Sequence, residues 1–320
     1  MTDSASPRAA APAAAGASAR NPEPLPSKGM LATAGAFLWW GLFPIYLKAL
    51  QSVPAVQIVG HRIVWCCVLV TLWMAVRGEL PKLYKALTDR GIRWRLATSG
   101  ALISINWLVY AWAVNTGHVV ETSLGYFINP LVNVLLGVVV LSERLNRVQW
   151  TAIALAAAAV VHLTIIAGHP PWIALVLALS FGSYGLIRKI TSVDATSGLA
   201  AETLLLLPFA AGYLIWCEAT GSGALGHSGP IVDTLLIASG VATAVPLVLF
   251  AYGARRIPYS TVGVLQYIAP SMQLALGVLL YGEPFGPMRA IGFALIWTAL
   301  VVYVADGVLR SRRPAGRGAA

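Results

Sequence analysis

Apolar residues fall into long runs separated by short polar segments from residue 29 onwards. Each run is long enough for an α-helix to cross the hydrocarbon core of a bilayer, which takes about 20 residues. Polar side chains inside the runs recur at intervals of three or four residues, which places them on one face of a helix. The runs predict ten membrane-spanning helices, at about 29–50, in the run after the loop 51–57, and at about 96–116, 119–141, 148–167, 172–188, 199–219, 231–253, 258–281 and 287–308.

One stretch of the chain occurs twice. The first copy runs from Pro130 to Glu143 and the second from Pro270 to Glu283, with the same internal spacing. The identical pairs are Pro130/Pro270, Leu136/Leu276, Gly137/Gly277, Val138/Val278 and Glu143/Glu283, and Asn133 corresponds to Gln273. The shared Pro, Gly and Glu positions indicate an internal duplication.

The duplication divides the chain into two repeats, 29–168 and 169–308. Because five predicted spans precede the second repeat, it begins on the opposite side of the membrane and is an inverted copy of the first. The predicted fold is an all-α polytopic membrane protein with ten transmembrane helices arranged as two inverted five-helix repeats. Residues 1–28 are rich in Ala, Pro and Ser and predict a disordered cytoplasmic tail, and 309–320 predict a basic cytoplasmic tail.

Composition agrees with a membrane protein, since 11% of the residues are charged and 58% are hydrophobic, whereas roughly a quarter of a soluble protein is charged. The net charge of +10 does not predict a nucleic-acid partner, because most Lys and Arg lie in alternate loops. That distribution follows the positive-inside rule and places both termini in the cytoplasm. Three cysteines all fall within predicted spans, so we expect neither a disulfide nor a metal site.

Residues 79–96 form an amphipathic segment. Leu80, Leu83, Tyr84 and Leu87 make an apolar stripe, opposed by basic residues. This pattern predicts a short helix that lies on the anionic lipids of the inner leaflet. A solvated connector is the alternative.

Polar and aromatic side chains inside the spans predict a substrate cavity between the two repeats, where secondary transporters bind their substrates. The predicted cavity residues are Trp40, Tyr46, Asn106, Trp107, Trp112, Asn115, Tyr126, Asn129, Asn133, Tyr184, Gln266, Tyr267 and Gln273. Helix breaks are predicted at Pro44, Pro130, Pro246 and Pro270, because each proline removes a backbone donor. Kinking and packing alone would also explain these prolines.

Ionisable residues inside the spans are candidates for charge or proton coupling, because a charge in the bilayer is retained mainly where it is used. They are Lys48, His61, Arg62, Glu121 and Glu202. Lys48, Arg62 and Glu121 are predicted near outer helix ends, where they could instead snorkel to the surface. Glu202 is predicted one turn inside its helix, where the helix N-terminus favours an acid.

Motifs for enzymatic chemistry are missing from the sequence. The run Gly221-Ser-Gly223-Ala-Leu-Gly226 matches G-x-G-x-x-G, but no strand precedes it and the following residues begin a helix poorly. The sequence contains no P-loop, H-E-x-x-H, G-x-S-x-G or C-x-x-C. We therefore predict no enzyme and no cofactor.

Several short motifs, taken in order, resemble those of the RarD permeases in the EamA branch of the drug/metabolite transporter superfamily. They are Phe37-Leu-Trp-Trp-Gly with Pro44, Val53-Pro-Ala, His61-Arg62, Asn106-Trp107-Leu, Trp112-Ala-Val-Asn115, Ser123-Leu-Gly-Tyr-Phe-Ile-Asn-Pro-Leu-Val-Asn133, Tyr184-Gly-Leu-Ile-Arg-Lys189, Gln266-Tyr-Ile and Tyr281-Gly-Glu283. The resemblance covers about residues 29–308. It implies ten helices, two inverted repeats, a bacterial cytoplasmic membrane location and transport of a small molecule.

The sequence therefore predicts a secondary transporter that works by alternating access. We expect it to export a small metabolite or drug-like molecule as a monomer or homodimer, with proton coupling through a residue such as Glu121 or His61. A membrane sensor or scaffold without transport is the alternative. The substrate is not predicted by any motif.

Overall fold

The computed structural model describes residues 27–141, 146–168, 170–254 and 265–311, and these ranges are almost entirely helical. The helices in chain order are α1 Ser27–Ala49, α2 Ala55–Val76, α3 Leu80–Thr88, α4 Arg90–Asn115, α5 Val119–Leu141, α6 Arg147–Ala167, α7 Trp172–Ile190, α8 Ala195–Ala219, α9 Pro230–Ala254, α10 Ile268–Ala275 and α11 Pro287–Ser311. A π-helical turn, Leu276–Leu280, continues α10.

Six of the helices in the described ranges are long and apolar enough to cross a membrane, namely α1, α2, α4, α6, α8 and α9. Large apolar side chains are exposed on the bundle, including Phe209 at 78%, Ile231 at 76% and Leu279 at 83%. Soluble proteins rarely leave so much apolar surface in contact with water, whereas lipid chains cover it without cost. The all-α polytopic membrane fold is confirmed, and the count of ten spans stays a prediction.

The helices of the two halves correspond at a constant spacing. The interval between the starts of α2 and α8 is the same as that between α4 and α9 and between α6 and α11, and it equals the interval between Pro130 and Pro270. The helix contacts are also related by this correspondence. The contact of α1 with α9 is matched by that of α7 with α4, and the corresponding helices α2 and α8 contact each other. This pattern supports the duplication; the inverted orientation and the repeat boundaries stay predictions.

Glu283, at the end of the second copy of the duplicated stretch, connects the two halves. Its carboxylate accepts hydrogen bonds from the backbone N–H groups of Val119 at 2.6 Å and Val120 at 2.8 Å. These are the first residues of α5, whose N–H groups have no partner within the helix and favour a negative charge. Glu143, the corresponding residue of the first copy, lies outside the described residues.

The predicted amphipathic helix over 79–96 is divided in two. Asp89 separates α3 from α4, and its side chain accepts a hydrogen bond of 2.9 Å from the N–H of Ile92 as the N-cap of α4. Leu83 is buried against protein, whereas Tyr84 is 71% exposed. Part of the stripe therefore packs on the helix bundle, and its contact with anionic lipids stays a prediction.

The start of α8 also differs from the prediction, since the helix begins at Ala195 rather than at residue 199. Asp194 caps it, and its Oδ1 accepts a hydrogen bond of 2.9 Å from the N–H of Ser197. The polar sequence Ala-Thr-Ser-Gly at 195–198 hides this first turn from an apolar pattern. Glu202 consequently lies two turns inside the helix, at a depth where the helix terminus no longer stabilises it.

Three of the four predicted helix breaks are absent, because α1, α5 and α9 continue through Pro44, Pro130 and Pro246. One missing N–H leaves the hydrogen bonds of the adjacent turns intact, so a proline can bend a helix without ending it. The fourth position is different. A turn at Tyr267 interrupts the helix, and Pro270 lies in the first turn of α10, where proline is tolerated.

Glycine permits close helix crossings, and two of them lie beside the cavity helices. A Cβ on Gly240 would lie 2.6 Å from the backbone of Trp65, where α9 crosses α2, and a Cβ on Gly125 would lie 2.9 Å from the carbonyl of Ala174, where α5 crosses α7. Such small residues let membrane helices approach without a hydrophobic driving force between them. These crossings hold the helices that surround the central cavity.

Candidate substrate cavity

A central cavity of about 90 Å³ lies between the two halves. Its walls come from α1, α2, α4, α5, α7, α9 and the segment around α10. The residues that line it are Phe37, Trp40, Phe43, Arg62, Ile103, Asn106, Trp107, Tyr110, Tyr126, Phe181, Tyr184, Thr243, Leu247, Gln266, Ala269, Pro270 and Gln273. The lining is largely aromatic and apolar with a few polar groups, which is typical of small-molecule sites.

Arg62 is the charged residue of this lining and is 4% exposed. Its Nε donates a hydrogen bond of 3.1 Å to Thr243 Oγ1. The guanidinium carbon lies 4.3 Å from the ring centre of Trp107 and 4.9 Å from that of Phe43. Its Nη1 has no hydrogen-bond partner among the described residues. The sequence position of Arg62 left open that it snorkels to the surface. In the structure its side chain is buried in the cavity wall instead.

Asn106 organises one wall of the cavity. Its Nδ2 donates hydrogen bonds of 3.0 Å to the carbonyl of Leu177 and to Ser180 Oγ. The hydroxyl of Tyr126 donates to Asn106 Oδ1 at 3.1 Å. One buried amide therefore links α4, α5 and α7, and its hydrogen-bonding groups are satisfied at low exposure.

Gln273 is a second buried amide in the lining of the cavity. Its Nε2 donates a hydrogen bond of 3.1 Å to the carbonyl of Trp40, which ties α10 to α1. Gln273 Oε1 and the hydroxyl of Tyr110 have no partner among the described residues. The residues of the cavity wall therefore include buried polar atoms that the described part of the protein leaves unpaired.

A second buried polar cluster lies between α4, α7 and α8. Glu202 is 1% exposed, and its Oε1 accepts a hydrogen bond of 2.6 Å from Ser99 Oγ. Arg188 Nη1 lies 3.7 Å from the same oxygen. Arg188 Nη2 also donates to the carbonyl of Asp194 at 3.2 Å. Arg188 is therefore the partner of a buried acid.

The duplication relates these two polar clusters. At the repeat interval defined by the two copies, Glu202 is the counterpart of Arg62, and Arg188 is the counterpart of Lys48. In the second half the two positions hold an acid and a base that form an ion pair. In the first half they hold two cations, and Lys48 Nζ lies 5.3 Å from the ring of Tyr281. The equivalent places therefore differ in net charge.

Several predicted site residues lie elsewhere. Tyr46 donates a hydrogen bond of 2.7 Å to the carbonyl of Leu235, and Trp112 stacks on His118. Those outside the lining are Tyr46, Trp112, Asn115, Asn129, Tyr267, Lys48, His61, Glu121, Glu202, Pro44 and Pro246. Glu121 lines a smaller cavity of about 40 Å³ together with Arg289. The side chains of Pro130 and Asn133 lie outside the described part of the chain.

The sequence prediction also left out residues that the structure brings to the cavity. These are Phe37, Phe43, Ile103, Tyr110, Phe181, Thr243, Leu247 and Ala269. Helical spacing could have predicted some of them. Phe37 and Phe43 lie three residues before and after Trp40, and Tyr110 lies four residues after Asn106, so each shares a helix face with a predicted cavity residue. Ile103, Leu247 and Ala269 are apolar residues in apolar helices and carry no such signal.

Comparison with known proteins gives consistent matches. A model of the EamA-like transporter family matches the chain twice, over residues 27–165 and 171–305. The chain is 45% identical to protein RarD of Streptomyces exfoliatus over 90% of this chain and 92% of that protein. It is 44% identical to an uncharacterized transporter of Vibrio cholerae serotype O1 over 88% of this chain and 93% of that protein. These matches confirm the resemblance to the RarD permeases.

A solved crystal structure shares the fold. Its sequence is 19% identical, and the superposition covers 90% of this chain and 99% of that chain at a TM-score of 0.60. At this identity the likeness concerns the arrangement of the helices alone.

Proposed function

Because the chain belongs to the EamA-like transporter family, we propose that it is a secondary transporter that moves a small metabolite or drug-like molecule through the central cavity by alternating access. The observation that carries this proposal is the composition of the cavity wall, to which helices of both halves contribute. Substrate sites at the interface of two repeats suit alternating access, because one half can rock against the other around a fixed site.

The size of the cavity supports a conformational change during transport. Its volume of about 90 Å³ is smaller than the roughly 150 Å³ of an engineered cavity that binds benzene. A drug-like molecule therefore requires the walls to separate. The interruption at Tyr267, next to the cavity residues Gln266 and Pro270, is a suitable place for such a movement.

Proton coupling is part of the proposal, and Glu202 is the residue that we assign to it. Its carboxylate is buried beside Arg188 and Ser99, and Tyr184, which lines the cavity, lies near both charged groups. A proton on Glu202 would weaken its attraction to Arg188 and free α7 to move against α8. Lys48, His61 and Glu121 have no comparable buried ion pair among the described residues.

Export, with both termini in the cytoplasm of a bacterial inner membrane, completes the proposal. Its support is the resemblance to the RarD permeases and the distribution of Lys and Arg. The direction is measured with right-side-out and inside-out vesicles, and the orientation with a C-terminal reporter that is active only in the cytoplasm.

The cavity is tested with two substitutions on the same helix. Ala269 lines the cavity and is buried, whereas Ala275 is exposed on α10 and does not line it. Ala269→Phe should fill the cavity and lower the initial transport rate at least about tenfold, while Ala275→Phe should leave the rate within about twofold. Transport is measured in proteoliposomes by counterflow, with a panel of neutral, cationic and anionic aromatic compounds that includes chloramphenicol.

Thermal unfolding of each purified variant separates loss of transport from loss of folding. Equal rates in the two folded variants would argue against transport through this cavity. A folded wild-type protein that moves no compound of any charge would argue against the transporter itself and in favour of a sensor or scaffold.

A further inference from the structure

The described residues that line the cavity carry an unbalanced positive charge. Arg62 is charged and contributes to the lining, whereas the described lining residues include no Asp or Glu. A guanidinium keeps its proton at physiological pH, so the positive charge is permanent. Charged groups within membrane helices are rare, and those retained pair with one another or mark the path of a substrate.

The contacts of Arg62 hold the guanidinium but do not neutralise it. Thr243 accepts one hydrogen bond, and the rings of Trp107 and Phe43 provide cation–π contacts. Neutral partners of this kind position a cation and reduce the cost of removing it from water. Nη1 is left without a partner among the described residues.

The nearest analogue in the chain shows what a neutralised arginine looks like. Arg188 Nη1 also has no hydrogen-bond partner among the described residues, but the carboxylate of Glu202 lies 3.7 Å from it and balances its charge. Position 202 is the counterpart of position 62. Because Glu202 is already bound by Arg188 and Ser99, it is not a free counter-ion for Arg62. No acid among the described lining residues neutralises Arg62, and such a charge leaves a place for an anionic ligand.

We propose that Arg62 binds the anionic group of a small aromatic monoanion, a carboxylate or sulfonate, whose ring packs against the aromatic side chains of the cavity. This inference rests on the proposed transport function and specifies its substrate class. One cation in the lining selects a single negative charge. A carboxylate and a sulfonate each present two oxygens that match the fork of guanidinium donors, and Tyr110 and Gln273 contribute further polar atoms to the lining, which the protein leaves unpaired among the described residues.

The test compares acids with their neutral isosteres on the purified full-length protein. Benzoate, phenylacetate and benzenesulfonate are each titrated beside benzamide, phenylacetamide and benzenesulfonamide, and binding is followed by the shift in thermal unfolding temperature. We expect the acids to stabilise the wild type and the amides to have no effect at equal concentration.

Three variants locate the effect. Arg62→Gln should weaken binding of the acids about ten- to one-hundredfold, which is the usual loss for a hydrogen bond to a charged group. Arg62→Lys, which keeps the charge without the planar fork, should bind with intermediate affinity. Arg77→Gln is the matched control, because Arg77 follows the same helix, is exposed and also lies over a tryptophan, Trp73 at 5.8 Å. It should bind like the wild type.

Each outcome bears on the proposal. Equal stabilisation by acids and amides, acid binding that survives in Arg62→Gln, or no acid binding by the folded wild type would overturn it. Transport of neutral or cationic compounds in the counterflow assay, without acid binding, would overturn the substrate class and leave the transporter standing. Acid binding that requires Arg62, without counterflow of any compound, would support the site and contradict the transport function.

Discussion

Arg62 and Glu202 stand at corresponding positions of the two halves and have opposite environments. Glu202 is 1% exposed, with a hydrogen bond from Ser99 and a base at 3.7 Å. Arg62 is 4% exposed, with Thr243 as a neutral partner and two aromatic rings beside it. Both side chains are removed from water, but among the described residues only Glu202 has an oppositely charged partner.

The difference shows that corresponding positions of a duplicated fold can serve different purposes, an ion pair between helices in one half and a ligand contact in the other. A buried ion pair whose partners are both present is tolerated, whereas one charge left alone is expensive. In the second half the pair Arg188 and Glu202 can hold α7 against α8 and respond to a proton. In the first half the corresponding residues Lys48 and Arg62 are both cationic, so they cannot pair, and Arg62 is left to serve a ligand.

The largest effect is expected from Glu202→Ala. Removal of the acid leaves the Arg188 guanidinium buried beside an apolar side chain, which should lower the free energy of unfolding by about 3 kcal/mol. Reversible unfolding in mixed detergent micelles measures the change. The double variant Glu202→Gln with Arg188→Gln removes both charges and should recover most of the loss; a single variant within about 0.5 kcal/mol of the wild type would contradict the ion pair.

Thr243→Val should lower the free energy of unfolding by a smaller amount, about 1.5 kcal/mol, because it removes the hydrogen bond from the charged Nε of Arg62. The exposed Thr234, on the same helix, bonds only to the carbonyl of Pro230 within its own helix. Thr234→Val is therefore the matched control and should change the unfolding free energy by less than about 0.5 kcal/mol. Equal losses in the two variants would mean that the contact with Arg62 contributes nothing.

Arg62→Met should change the unfolding free energy by less than about 1 kcal/mol, or stabilise the protein, because an apolar chain replaces a charge that no acid among the described residues neutralises. Its methylene groups and sulfur can still pack against Trp107 and Phe43. The same unfolding assay is used. A loss as large as that of Glu202→Ala would show that Arg62 is neutralised within the protein and would remove the contrast between the halves.

Lys48→Met should lower the free energy of unfolding least, by about 0.5 kcal/mol, since among the described contacts it removes a cation–π contact with Tyr281. The counterpart Arg188→Met should destabilise by about 3 kcal/mol, because Glu202 then loses its base. Similar losses at the two positions, measured in parallel, would indicate that Lys48 has an acid partner outside the contacts described.

The sequence by itself determined the membrane class, the duplication and the family. Apolar runs long enough to cross a bilayer predict membrane helices, because the backbone polar groups of a segment in lipid must find hydrogen-bond partners within the helix. Helical periodicity also selected much of the cavity, including Asn106, Trp107 and Tyr126. Asn106 is a polar residue in an apolar helix, and such residues rarely face lipid.

Only the tertiary structure decided which face of each helix meets the cavity. Tyr46 and Phe43 are one helical turn apart, yet Phe43 lines the cavity while the hydroxyl of Tyr46 bonds to Leu235 on α9. Periodicity defines the faces of α1, but the neighbouring helix that covers each face is chosen by packing. The pairing of Arg188 with Glu202 was hidden for the same reason, since the two charges lie on consecutive helices and the connection at 191–194 decides which faces of α7 and α8 meet.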